Sequence, residues 1–210
     1  MIIALGYMAR TGKDTVADYL VSRHGFAKIA FADALKDGVQ AIFGLTNEQL
    51  YGGDKEKIDE FWEDTPRNIL QKVGTECMRR GYRDDIWVKC VEGVIQANPS
   101  FDWVISDCRF LNETNAVKKW GSKVVQVVRS IEDGRLEIAT STHASETTMR
   151  DYEGWDDIIV NCGTLGDLYR RVDSLVEDFR ETKKMGIEKV EKVDVQGNEA
   201  TIVHIGPGGE

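Results

Sequence analysis

Apolar positions along this 210-residue chain fall into short unbroken runs separated by stretches with helical spacing. Ile2-Ile3-Ala4-Leu5, ended by Gly6, is the first run, and an unbroken apolar run of this length predicts a strand buried on both faces. From Asp14 to His24 the apolar residues Val16, Ala17, Leu20 and Val21 recur at helical intervals, and Gly25 stands where such a helix stops. Phe26 to Phe31 predicts a second strand, and Ala32 to Phe43 a helix ending at Gly44. Residues 46 to 66 are rich in charge and glycine and predict a loop-helix insertion. Pro66 can seat the first turn of a helix over Arg67 to Arg80, because proline there gives up no helical hydrogen bond. Asp84 and Asp85 are candidate caps for a helix from Ile86 to Ala97, closed by Pro99.

The second half repeats the alternation. Trp103 to Ser106 predicts a strand followed by Asp107-Cys108-Arg109, and Asn112 to Trp120 a helix before Gly121. Lys123 to Val128 predicts a strand ending at Arg129, Ile158 to Val160 the last core strand, and Leu165 to Thr182 a closing amphipathic helix. Strands alternating with helices predict an α/β fold, a parallel sheet covered by helices on both faces. Beyond Lys184, Glu188 to Val195 and Ala200 to Ile205 alternate around Gln196-Gly197-Asn198, which predicts a hairpin appendage over residues 185–210.

Composition narrows the picture. With 41% hydrophobic residues the chain can bury a core without disulfides or metals, and one compact domain is expected. A net charge of −9 argues against broad adhesion to nucleic acid or anionic membrane, while leaving local cationic clusters for small anions. Cys77, Cys90, Cys108 and Cys162 form no CxxC pair, and with three histidines structural zinc is not expected. The cysteines read as small buried apolar groups in a reduced, cytoplasmic setting. Lys13 and Asp14 arrive too early for a secretory leader, and no stretch approaches the roughly 20 apolar residues of a membrane span.

The chemistry starts at Ala9-Arg10-Thr11-Gly12-Lys13-Asp14-Thr15. A phosphate needs several N–H donors aimed at one point and a cation, which a glycine-permitted turn at a helix N-terminus with an adjacent lysine supplies. The loop is nonetheless irregular: Gly6 stands one residue too early for GxxxxGK[ST], Tyr7 occupies the formal glycine position, and Asp14 replaces the hydroxyl that usually meets Mg²⁺. The metal is then held by the Asp14 carboxylate, through water, or by Thr15 one place on. The alternative is an ordinary glycine-bearing strand-helix turn.

A second constellation stands at the next strand end. Asp107 is placed to orient a hydrated metal or an attacking oxygen. Arg109, two residues on, points to the same side in extended backbone and can clamp a substrate phosphate, with Glu113 as a candidate partner for its guanidinium. The bland alternative is a helix-capping aspartate beside a structural ion pair. Upstream, Thr65-Pro66-Arg67 through Arg80 carries Arg67, Gln71 and Arg79, where a monophosphate acceptor can be held.

The blocks ARTGKDTVADYL, FADALK, TPRNILQKVGTECMR, DDIWV, ISDCRFLNE and HASE occur in this order. Together, over about residues 2 to 180, they resemble the bacteriophage deoxynucleoside monophosphate kinases, a family in which the GKDT form of the loop is itself familiar. The resemblance implies a P-loop kinase fold over residues 1–184, with an acceptor-binding helical insertion at about 45–98 and a lid at about 130–153. It implies transfer of the ATP γ-phosphoryl group to a deoxynucleoside 5′-monophosphate with Mg²⁺, supplying deoxynucleotides for phage DNA synthesis in the host cytoplasm. Kinases of this resemblance are often dimers, so a homodimer is an open expectation.

By motif position, Gly12, Lys13, Asp14 and Thr15 match the ATP-phosphate loop, flanked by Arg10 and Thr11. Lys36, Arg67, Gln71, Glu76, Trp87, Asp107, Arg109 and Glu113 fall in the blocks that surround the acceptor, and Trp87 is read either as a stacking platform for the base or as core. Asp14 and, through water, Asp107 are the metal-facing carboxylates. In the polar stretch after the fourth strand, Arg129 and Arg135 are the candidate lid arginines, with His143 and Glu146 as further closing groups. Asn161, after the last strand, lies where such folds meet the adenine. Two other functions stay open: a P-loop kinase of a different phosphorylated metabolite, and a catalytically inactive nucleotide-binding module.

Overall fold

A computed structural model of the chain describes residues 1–129 and 148–184. Five strands, β1 (Ile2–Gly6), β2 (Ala27–Ile29), β3 (Trp103–Cys108), β4 (Lys123–Arg129) and β5 (Asp157–Asn161), form one sheet in the order β2-β3-β1-β4-β5. All four neighbouring pairs run parallel. Ile3, Ala4 and Leu5 of β1, Val104 and Ile105 of β3, and Val124, Val125 and Val127 of β4 are completely buried. This continuous burial, without alternation, is what a parallel sheet covered on both faces requires. The helices are α1 (Lys13–His24), α2 (Asp33–Phe43), α3 (Asn47–Tyr51), α4 (Pro66–Gln71), α5 (Ile86–Ala97), α6 (Leu111–Lys119) and α7 (Leu165–Lys184).

Among the described residues the predicted elements are present, with four instructive differences. The second strand is three residues rather than six, because the chain leaves the sheet at Ala30 to enter a loop tied to β3. Asp107 lies inside β3, not beyond its end. The helix predicted over 67 to 80 begins as α4 on Pro66, capped by the Thr65 hydroxyl, but from Lys72 to Arg80 it continues in the wider π form. Such widening recurs at functional sites. The helix at Ile86 starts where Asp85 predicts, yet neither carboxylate caps it: Asp85 takes the Arg83 guanidinium and Asp84 accepts from the Asn112 amide.

The main core gathers Trp87, Val88 and Val91 of α5 against Trp103, Ile105 and Val124 of the sheet. A smaller cluster of Val39, Leu45, Leu50 and Ile69 lies under the segment between α2 and α4. It gives the inserted helices an anchorage of their own. Of the four free cysteines Cys108 alone is buried and Cys77 is exposed, which corrects their reading as uniformly buried apolar groups.

Residues 1–162 form one compact unit, and residues from Gly163 onward a second. Within the second, α7 opens on a reciprocal cap, the Thr164 N–H donating to Asp167 (2.9 Å) and the Asp167 N–H to the Thr164 hydroxyl (3.3 Å). The predicted hairpin at 185–210 lies outside the described residues, as does most of the predicted lid.

Candidate active site

In a parallel sheet the loops that follow the strands collect at the carboxyl edge, and the residues of interest here leave the sheet there. β1 opens into the glycine loop, β3 ends in Asp107-Cys108 with Arg109 just beyond, β4 ends at Arg129 and β5 at Asn161. β1 and β3 are direct neighbours, with Gly6 opposite Cys108, so the glycine loop starts beside the Asp107–Arg109 segment. Arg129 pairs in register with Asn161.

The loop is built around Lys13. The residue is 6% exposed, and its ammonium donates to the carbonyls of Tyr7 (3.3 Å) and Met8 and towards the Thr11 hydroxyl (3.5 Å). Thr11 is itself buried and donates to the Met8 carbonyl at 3.2 Å. Gly12 sits at the helix N-cap with φ +101°, and no side chain caps α1. No N-cap side chain closes the N-terminus of α1, and a buried lysine lies in its first turn. A side chain at Gly12 fails twice, because its Cβ would also meet the Asn161 amide nitrogen at 2.5 Å.

Asn161 explains that proximity. Its amide donates to the Thr11 carbonyl at 3.0 Å, so the end of β5 latches the loop. Asn161 was expected at the adenine edge; its side-chain amide is engaged with the glycine loop.

The displaced glycine is explained by packing. Gly6 is in β1 and carries no unusual φ, but a Cβ there would lie 2.7 Å from the ring of Trp155. The unusual backbone falls on Tyr7, with φ +97°, a conformation that costs a bulky residue about 1–3 kcal/mol. Tyr7 keeps it beside Trp155, which also stacks edge-on against Tyr152. Among the described residues, the buried indole N–H of Trp155 has no hydrogen-bond partner. Strain and an unsatisfied donor thus meet at the loop's base.

On the β3 side, the Asp107 carboxylate accepts N–H groups from Phe31 (2.7 Å) and Ala32 (3.0 Å), fixing the loop that leads into α2 and Lys36. Burial raises the Asp107 carboxyl, opposed first by the Arg109 charge, then by these two donors and by Lys36. Lys36 and Arg109 therefore both act on Asp107. Lys36 also lies over the Tyr51 ring at 4.1 Å.

Glu113 does not take the Arg109 guanidinium, as its spacing suggested. One carboxylate oxygen accepts the backbone N–H of Arg109 (2.7 Å) and Phe110 (3.0 Å), and the other takes the guanidinium of Arg79. Arg79 is buried, donates also to the Asp84 carbonyl at 2.8 Å, and lies 4.1 Å from the Phe110 ring centre. Burial pushes the Glu113 carboxyl up to about 7 despite Arg79. This pair ties the π segment to the start of α6 and sets the backbone at Arg109. Arg79 thus serves as a pivot beneath the site rather than as a clamp in it.

The remaining expected residues divide. Arg67 extends from α4 to pair with Glu56, Gln71 is half-buried at the end of α4, and Glu76 is exposed on the π segment. Trp87 is core: 7% exposed, with its indole N–H donated to the Gly74 carbonyl at 3.1 Å. Asp14 is 84% exposed and paired with Lys28 at 3.2 Å, Thr15 is half-buried, and Arg10 and Arg129 are exposed. Arg135, His143 and Glu146 lie outside the described residues.

One residue was missed. Lys55, half-buried on the single 3-10 turn Gly53–Glu56, has its ammonium pushed down by burial first and then by Lys36, Arg67 and Arg109, with Asp14 pulling the other way. Cations from three other segments, α2, α4 and the end of β3, therefore act on Lys55. No sequence signal separates Lys55 from its neighbour Lys57.

Comparison with known proteins points to one family. A sequence model of the family deoxynucleotide monophosphate kinase matches residues 55–172. A protein of Acanthamoeba polyphaga mimivirus, provisionally named deoxynucleotide monophosphate kinase, is 33% identical over 184 residues, covering 80% of this chain and 92% of that protein. The deoxynucleotide monophosphate kinase of Enterobacteria phage T4 is 20% identical over 245 residues, covering 84% of this chain and 98% of its own. Among solved structures, TT1252 from Thermus thermophilus superposes with a TM-score of 0.51 at 16% identity, covering 85% of this chain and 97% of that one. At that identity the likeness speaks to the fold alone.

Proposed function

The chain belongs to the deoxynucleotide monophosphate kinase family and is a nucleotide phosphotransferase, and from that premise we propose that it transfers the γ-phosphoryl group of ATP to the 5′-phosphate of a deoxynucleoside monophosphate. The products are ADP and the deoxynucleoside diphosphate: an acceptor phosphate oxygen bonds to the γ-phosphorus as the bond to the β-phosphate bridging oxygen breaks. In a phage the product feeds DNA synthesis. The observation that carries the reading is the neighbouring of β1 and β3, which sets a lysine-centred phosphate loop beside a strand end bearing Asp107 and Arg109.

Each residue then has a task. Lys13, the α1 N-terminus and Thr15 hold the donor phosphates, with Arg10 and Thr11 in the loop that Asn161 latches. Arg67, Lys36 and Arg109 hold the acceptor phosphate, with Gln71 and Glu76 on the acceptor wall. Glu113 sets the Arg109 backbone, and Asp107 fixes the loop before Lys36. Arg129, with Arg135 from the expected lid, meets charge on the transferring group.

The residues fit Mg²⁺ in one manner. Among the described residues no three His, Cys, Asp or Glu side chains gather into a metal site, and Mg²⁺ is ordinarily held by one or two carboxylates together with substrate phosphates and water. Asp14, open to solvent, and Asp107 through water are those carboxylates. The ion, when bound, neutralises phosphate charge.

An acceptor panel tests the reading. With Mg·ATP, deoxynucleoside monophosphates should yield ADP and the matching diphosphates. ADP formation with dephospho-coenzyme A or phosphomevalonate, and none with any deoxynucleotide, overturns it.

A further inference from the structure

Lys55 is flanked in sequence by two carboxylates, and both are engaged elsewhere: Asp54 pairs with Lys57 at 2.6 Å, and Glu56 pairs with Arg67. Among the described residues no hydrogen bond or ion pair neutralises Lys55 itself. Its turn lies between α3, whose Tyr51 ring carries Lys36 at 4.1 Å, and α4, which delivers Arg67. The ammonium is half-buried, and Lys36, Arg67 and Arg109 all push against it, with Asp14 on the phosphate-loop side pulling. Crowding like charges in a partly desolvated place is unfavourable on its own. An anion bound among them adds an attraction to each cation that offsets their mutual repulsion.

Building on the acceptor reading above, we infer that Lys55 is a ligand of the acceptor phosphate and the fourth cation of that site. It touches substrate and reads the dianionic charge of the acceptor. Lys57, two residues on and paired with Asp54, has no such task.

The test uses the full chain in two arms. The first is steady-state kinetics with Mg·ATP and a deoxynucleoside monophosphate that the wild type phosphorylates. Lys55→Met should raise the acceptor KM about 10–100-fold, the range of one charge-assisted hydrogen bond, with the ATP KM changed less than about 2-fold. Lys55→Arg should restore most of the affinity, and Lys57→Met should match wild type. The second arm is thermal unfolding with and without inorganic phosphate. Without phosphate Lys55→Met should melt at or above wild type, because it removes a like charge, and it should lose most of the stabilisation that phosphate gives. An acceptor KM in Lys55→Met equal to wild type, or an equal rise in both KM values, overturns the inference while leaving the kinase reading intact. If the wild type phosphorylates no deoxynucleotide, the kinase reading falls. Lys55 is then judged on the phosphate arm: equal stabilisation of wild type and Lys55→Met overturns it, and loss in the variant supports it. Should Lys55→Met not fold, Lys55→Gln takes its place with the same expectations.

Discussion

Replacing Gly6 by alanine probes the base of the phosphate loop with one carbon atom. That Cβ would stand 2.7 and 2.8 Å from two ring carbons of Trp155 and 3.1 Å from the Cys108 carbonyl oxygen. Carbon contacts settle near 3.5–4.0 Å, so the indole must retreat by roughly 1 Å. Retreat is obstructed: Trp155 is held edge-on by Tyr7, with centroids 6.3 Å apart, and by Tyr152 at 5.0 Å. Overpacking of this kind costs about 1–3 kcal/mol, and a weakened aromatic pair about 0.5–1.5 kcal/mol. Gly6→Ala should therefore lower the unfolding free energy by about 2 kcal/mol in urea titration at unchanged slope. Because Tyr7 follows directly and its carbonyl accepts from Lys13, the ATP KM should rise as well. Trp155→Ala removes the obstacle, so the double variant should show a favourable coupling of about 1 kcal/mol or more. A Gly6→Ala protein within about 0.5 kcal/mol of wild type, or additive single effects, refutes the packing explanation for this glycine.

Two further perturbations separate the latch from the pivot. Asn161→Ala removes the bond to the Thr11 carbonyl, about 1 kcal/mol, and should raise the ATP KM several-fold with little effect on the acceptor KM. Asn161→Asp, which sets a carboxylate against that carbonyl, should be worse than alanine, and an aspartate variant equal to wild type contradicts the latch. The Glu113 carboxyl is held at about 7 against 4.5 in an unfolded chain, so the folded protein binds the proton more tightly between those values. The stability this group contributes is full below about pH 4.5 and is lost as pH rises through about 7, by up to about 3 kcal/mol. Glu113→Gln should flatten that part of the stability profile, and parallel profiles for the two proteins rule the shift out.

Strand, loop and helix were legible because glycines mark the stops: α1 ends before Gly25 and α2 before Gly44, as their apolar spacing predicts. The position of Lys13 and the sheet edge carrying Asp107 and Arg109 were legible for the same reason. What escaped was long-range. Glu113 lies four residues from Arg109 and pairs with Arg79, 34 residues away, because burial selects the partner and sequence spacing does not. The Thr11 carbonyl bonds Asn161 across 150 residues. The widening of the helix after Gln71 has no residue signature of its own. Lys55 and Lys57 are equivalent in sequence, and only the fold turns one towards three cations and the other towards Asp54. The irregular glycine was visible in the sequence, whereas its cause, an indole from residue 155, was not.

Label transfer tests the central claim most directly. The full chain is incubated with Mg²⁺, ATP labelled at the γ-phosphate and a deoxynucleoside monophosphate, and the products are separated. The account predicts label in the β-phosphate of the deoxynucleoside diphosphate, formed in step with ADP and absent with Lys13→Ala. Label released solely as inorganic phosphate, or diphosphate formed equally well by Lys13→Ala, contradicts it.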